Sequence, residues 1–128
     1  MSNYITYCLL TKECEDAHKI YDKANELLKE LNTADSAKIK FVFDDSTPTG
    51  EYGFSFDSYN NDLCTIALKI IEGVVASFPE LRLHFLATWE GPIVEEAISK
   101  DGKLISLEPA RDENGNVILD ECGNVVFS

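Results

Sequence analysis

Apolar residues recur at every second position in some blocks of this chain and at every third or fourth in others, and these two spacings divide it into strands and helices. Tyr4-Ile5-Thr6-Tyr7-Cys8-Leu9-Leu10 is β-branched and aromatic and stops at the polar Thr11-Lys12-Glu13, which predicts a first strand. Ala17, Ile20, Tyr21, Ala24, Leu27, Leu28 and Leu31 then repeat at helical spacing, with Glu13, Glu15 and Asp16 at the positive end of the helix dipole. Its other face mixes lysines and acids, as a solvated helix surface does. Lys38 to Phe43 alternates as a strand with Ile39, Phe41 and Phe43 on one side, and Tyr52, Phe54 and Phe56 resume the period of two after a Pro48 and Gly50 turn, so these runs predict a hairpin.

A second helix is expected from Leu63 to about Ser77, carrying Leu63, Ile66, Ala67, Ile70, Ile71, Val74 and Val75 on its apolar face, with Asn61 or Asp62 as its cap. Pro79 disfavours helical geometry at Phe78 and so ends it. Leu81 to Trp89 alternates again, Ile93 to Ser99 reads as a strand, and Asp101-Gly102 is a good turn pair before Lys103 to Leu107 returns. The tail holds a near-repeat, Asp112-Glu113-Asn114-Gly115-Asn116-Val117-Ile118 against Asp120-Glu121-Cys122-Gly123-Asn124-Val125-Val126, each a Gly-Asn turn with a short apolar strand. Residues 109–128 are therefore expected to form a short β tail on one acidic domain covering residues 1–128. The order β, α, β, β, α, β followed by a hairpin extension predicts an α+β fold of ferredoxin-like type, one antiparallel sheet with both helices on one face.

Charge changes the picture most. Twenty-three acidic residues oppose eleven basic ones, a formal net charge of -12 in 128 residues. Residues 1–64 and 65–128 carry -6 each, so the charge belongs to the folded surface and not to a detachable tail. Attraction for a phosphate backbone comes from Lys and Arg, so direct nucleic-acid binding is not expected and a basic protein surface is the natural partner. The start of the chain lacks a basic region and the run Tyr4–Leu10 is short for a signal sequence, while no stretch has the roughly 20 apolar residues of a membrane span, so a cytoplasmic location, in the native or a host cell, is the expectation.

No cofactor or metal is expected. Cys8, Cys14, Cys64 and Cys122 show no zinc-knuckle spacing, and His18 and His84 are the only imidazoles. Thr49-Gly50-Glu51-Tyr52-Gly53 lacks the Lys-Ser/Thr ending of a phosphate loop, and Asp112 to Asn116 has its Gly fourth where a calcium loop wants it sixth. A Cys64-His84 dyad is one conceivable nucleophile, but both residues read more simply as packing or surface side chains. Adjacent carboxylates such as Asp44-Asp45 point to opposite faces of a strand, which suits acid-base work poorly.

Phe54-Ser55-Phe56-Asp57-Ser58, the helix ending Ser77-Phe78-Pro79-Glu80-Leu81 and the aromatic-rich strand Phe85 to Glu90 together resemble the ferredoxin-like domain of uncharacterised phage- and plasmid-borne proteins, the YubB-like group. That resemblance implies a mobile-element protein and brings no catalytic residues. With the charge, it leads to the expectation of a non-enzymatic inhibitor of anti-CRISPR or antirestriction type, which occupies the basic surface of a nucleic-acid-binding defence protein. The residues expected at the contact are Asp44, Asp45, Glu51, Tyr52, Asp57, Tyr59, Trp89 and Glu90. An immunity-type protein that neutralises a toxin shares this surface physics. The remaining alternative is a small hydrolase or metal-dependent enzyme using Asp44, Asp45, Asp57 or Glu90.

Overall fold

A computed structural model describes residues 4–44, 50–89, 93–121 and 126. The chain runs β1 (Ile5–Thr11), α1 (Cys14–Leu31), a 3-10 turn (Ser36–Lys38), β2 (Val42–Asp44), β3 (Tyr52–Ser58), α2 (Asn61–Ser77), β4 (His84–Trp89), β5 (Ile93–Lys100) and β6 (Lys103–Ser106). The six strands make one antiparallel sheet in the order β2-β3-β1-β4-β5-β6. The protein is therefore mixed α+β, with two α-helices and a six-stranded antiparallel sheet among the described residues.

Alternate residues of the sheet meet the helices. Leu9 pairs with Phe54 on one side and Phe85 on the other, and Tyr7 lies between Phe56 and Ala87. These side chains join Ile20 and Ala24 of α1 and the buried face of α2 in a single apolar cluster. Both helices thus cover the same face of the sheet. On α2 the buried residues are Leu63, Cys64, Ala67, Ile70, Ile71, Val74 and Val75, each large one contributing about 1.5–3 kcal/mol relative to exposure. The other face carries Thr6, Cys8 and Leu10 of β1, Ser55 and Asp57 of β3, and His84, Leu86 and Thr88 of β4, by the same alternation.

Local chemistry moves several boundaries from where periodicity puts them. Asn60, one residue earlier than expected, caps α2: its side-chain oxygen accepts the Asp62 amide at 2.9 Å and the Leu63 amide at 3.2 Å. The strand expected from Lys38 is short, because Thr33 and Ser36 exchange side-chain and backbone hydrogen bonds that hold a turn ahead of it. Ile39 and Phe41 are still buried, as their spacing requires, although they precede the ladder. Likewise β4 starts at His84 and not at Leu81, since the Leu83 amide is held by the Ser99 hydroxyl instead of a strand partner. Leu31, read as part of the apolar stripe, is 46% exposed where α1 ends at a left-handed Asn32.

The second hairpin forms as expected, Asp101 and Gly102 both having positive φ at its turn. In the tail, the first repeat closes a tight turn in which Arg111 bridges Val117 and Gly115 has φ 83°. Most of the second repeat, Cys122 included, lies outside the described residues. No helix among the described residues is long and apolar enough to cross a membrane.

Candidate protein-binding site

The strand order sends the expected contact residues to two opposite ends of the sheet. Asp44 ends β2 opposite Gly53, Tyr52 pairs with Thr11 where β1 finishes, and Glu51 immediately precedes Tyr52. Asp57 lies on β3 opposite Thr6, Tyr59 follows β3, and Trp89 ends β4 opposite Ile5. Tyr52 and Asp57 are five residues apart on one strand, about 17 Å. Asp45 and Glu90 lie outside the described residues.

At the second of these ends Tyr4, Asp57 and Tyr59 converge on the face away from the helices. Tyr59 is 61% exposed and its ring lies 4.7 Å from that of Tyr4, with 51° between the planes. The Tyr4 hydroxyl donates to the Asp57 carboxylate. Tyr4 therefore touches both residues, and the pairing of Ile5 with Ser58 explains how: one step further out, Tyr4 comes level with Tyr59. Across β1 stands Trp89, on the helix-bearing side by its alternation with Phe85 and Ala87, and 46% exposed. Next to it the β4–β5 ladder shifts register between Ala87 and Thr88, so that Val94 is the extra residue between Ile93 and Glu95. Val94 is 47% exposed and Glu95 is exposed as well. This end thus presents exposed apolar side chains and carboxylates on both faces of the sheet, Tyr59 with Asp57 on one and Trp89 with Glu95 on the other, the residue types of an interface core and its rim.

The opposite end holds a cluster that sequence reading did not assemble. His84 Nδ1 is 3.1 Å from Glu51 Oε1, and His84 Nε2 is 2.6 Å from Glu96 Oε1. His84 begins β4, Glu96 lies two residues along the neighbouring β5 ladder, and Glu51 reaches the ring past the end of β1. A neutral imidazole carries one N–H, so both contacts are hydrogen bonds only when the ring is cationic or a carboxyl is protonated. The cluster borders a cavity of about 480 Å³ lined also by Lys12, Asp16 and Arg82. With both ring nitrogens engaged, His84 is a cross-strand tie. Its signal in the sequence was hidden because Glu51, His84 and Glu96 come from three separate segments.

No family model, no curated protein and no solved structure matches this chain. The resemblance to the YubB-like group therefore rests on the residues quoted for it, and the site is judged by its geometry.

Several chemical alternatives are not assembled. Cys64 is buried under α2 on the helix-bearing side, whereas His84 is on the other face, so the pair is not a dyad. Asp44 lies opposite Gly53, four positions before Asp57 on β3, so the two carboxylates are about 13 Å apart along the strand, too far to share one reacting atom. His18 stacks on Phe43 at 4.4 Å with 9° between the rings and so packs α1 against β2. Among the described residues no group of three or more His, Cys, Asp and Glu is placed to hold a metal ion.

Burial governs the ionisation of three groups. Desolvation pushes the Cys64 thiol up; it also pushes up the Cys8 thiol, with Asp44 adding to the effect. The Tyr7 hydroxyl is raised by burial first and then by Cys64 and Glu95. None of these is an activated nucleophile, since activation requires a lowered value.

Proposed function

We propose that this protein is a non-enzymatic binding protein that docks on the basic surface of a nucleic-acid-binding enzyme of host defence, in the manner of an anti-CRISPR or antirestriction inhibitor. The observation that carries the reading is the end of the sheet where Tyr59 and Asp57 stand exposed on one face and Trp89 and Glu95 on the other, with the exposed Val94 at the β5 bulge. Aromatic anchors supply contact area there, and the net charge of -12 steers the molecule onto a cationic partner and competes with phosphate. The scaffold under this surface is ferredoxin-like, extended by β5 and β6; what supports that reading is the strand order 2-3-1-4 with a helix after the first and third strands. The protein acts in the cytoplasm, where such nucleases work.

The test is competition. Purified protein is added to restriction and RNA-guided nucleases with their DNA, and binding and cleavage are followed at rising salt. A susceptible nuclease loses DNA binding, regains it when DNA is in excess, and escapes inhibition as salt screens the charges. Trp89→Ala weakens the inhibition by about tenfold or more, as loss of an interface anchor does. Nucleases that all keep their activity, or inhibition indifferent to salt and to Trp89, overturn the reading.

A further inference from the structure

Tyr4, Asp57 and Tyr59 bring together an exposed aromatic face and an exposed carboxylate held in place. Asp57 is exposed, and of the roughly four hydrogen bonds a carboxylate can accept, Tyr4 supplies one. Tyr59 is two residues further on, just past the end of β3, and Tyr4 touches both it and Asp57. The Tyr4 and Tyr59 rings touch, which limits the rotation of Tyr59 and leaves its outer face to solvent.

We infer that Tyr4, Asp57 and Tyr59 form an arginine-recognition site that takes one guanidinium side chain of the partner. The guanidinium lies on the outer face of Tyr59 and forks onto the Asp57 carboxylate. It does not enter between the rings, which are already in contact at 4.7 Å. Tyr4 is a positioning residue, its ring bracing Tyr59 and its hydroxyl orienting Asp57. Arginine fits better than lysine because a planar, weakly hydrated cation can stack and donate two parallel N–H bonds at once, whereas an ammonium is a compact, strongly hydrated point charge. A nucleobase could stack on Tyr59, but its phosphates would face Asp57 and a chain of net charge -12. The inference rests on the reading of the protein as a binder of basic surfaces and names the side chain it selects.

The experiment titrates the full chain with three short Gly-Ser peptides carrying a single arginine, lysine or citrulline, and follows amide shifts by NMR. The arginine peptide shifts Tyr4, Asp57 and Tyr59 and binds about threefold or more tighter than the lysine peptide, while citrulline, uncharged, leaves the spectrum unmoved. Asp57→Asn and Tyr59→Ala, both on exposed residues, abolish the shifts, and Tyr4→Phe lowers the preference for arginine over lysine. Equal affinity for arginine and lysine, shifts scattered over the acidic surface, or binding that survives both substitutions overturns the site. If the arginine preference fails while nuclease inhibition persists, the site falls and the function stands. If the preference holds and no nuclease is inhibited, the site stands and the function falls.

Discussion

Gly53 lies so close to Leu9 that a Cβ built on it would stand 1.9 Å from the Leu9 carbonyl oxygen and 2.9 Å from the Leu10 α-carbon. Both neighbours are backbone of the central strand, so neither can turn aside as a side chain would. Gly53 is what lets β3 approach β1 at the place where Asp44 ends β2 and Tyr52 begins β3. Gly53→Ala should therefore separate the two strands and cost about 2–4 kcal/mol, seen as a lower urea midpoint with an unchanged slope. Gly50→Ala is the contrast: its Cβ meets nothing, and only the positive φ of 76° opposes the change, so the loss should be about 1 kcal/mol.

The cap of α2 gives a second expectation. Asn60→Ala removes an acceptor from two amides and should lower stability by about 1 kcal/mol, whereas Asn60→Asp keeps the oxygen and should be close to neutral. Thermal or urea denaturation separates these outcomes. Because Asn60 follows Tyr59 directly, NMR of the alanine variant should also show the Tyr4–Tyr59 contact disturbed.

Ser99 is a buried hydroxyl with two bonds to make. It accepts the Leu83 amide at 2.8 Å and donates to the Leu81 carbonyl at 3.0 Å, while its own amide donates to the Leu83 carbonyl at 2.9 Å. Ser99→Ala strands an amide beside the core and should cost about 1–3 kcal/mol. Hydrogen exchange at Leu83 should accelerate more than at Phe85, which pairs within the ladder.

The thiols predict a pH dependence. Cys8 and Cys64 have raised values in the folded protein, so both stay protonated at pH values where an unfolded thiol ionises. Their contribution to stability is complete below the ordinary thiol range and is lost as pH rises through their folded values, with Tyr7 adding to the loss at still higher pH. Melting temperature should fall on the alkaline side. In native protein at pH 8, an alkylating reagent should modify the exposed Cys14 well before Cys8 and Cys64. Equal labelling rates would contradict the burial.

What could be read along the chain was what depends on near neighbours. The period-two runs around Leu9, Phe54 and Phe85 and the helical spacing of Ile70, Ile71 and Val74 are local consequences of where a side chain must point, so the elements and their buried faces follow from them. So does the Asp101-Gly102 turn, whose positive φ values suit those residue types. Boundaries depended on single polar contacts, those of Asn60, Ser36 and Ser99, which periodicity does not register.

The site depended on strand order. Asp57, Tyr59 and Trp89 were singled out from the sequence, yet nothing in it placed Tyr4 against the first two, fifty-three residues from Asp57. Nor did it separate Asp44, Glu51 and Tyr52 to the other end. Glu51, His84 and Glu96 are joined only because β1 lies between β3 and β4 and lets one side chain reach past its end. Local sequence determined the faces, the turns and the net charge; the pairing of distant strands, which no single segment encodes, decided which of those acidic and aromatic residues share a surface.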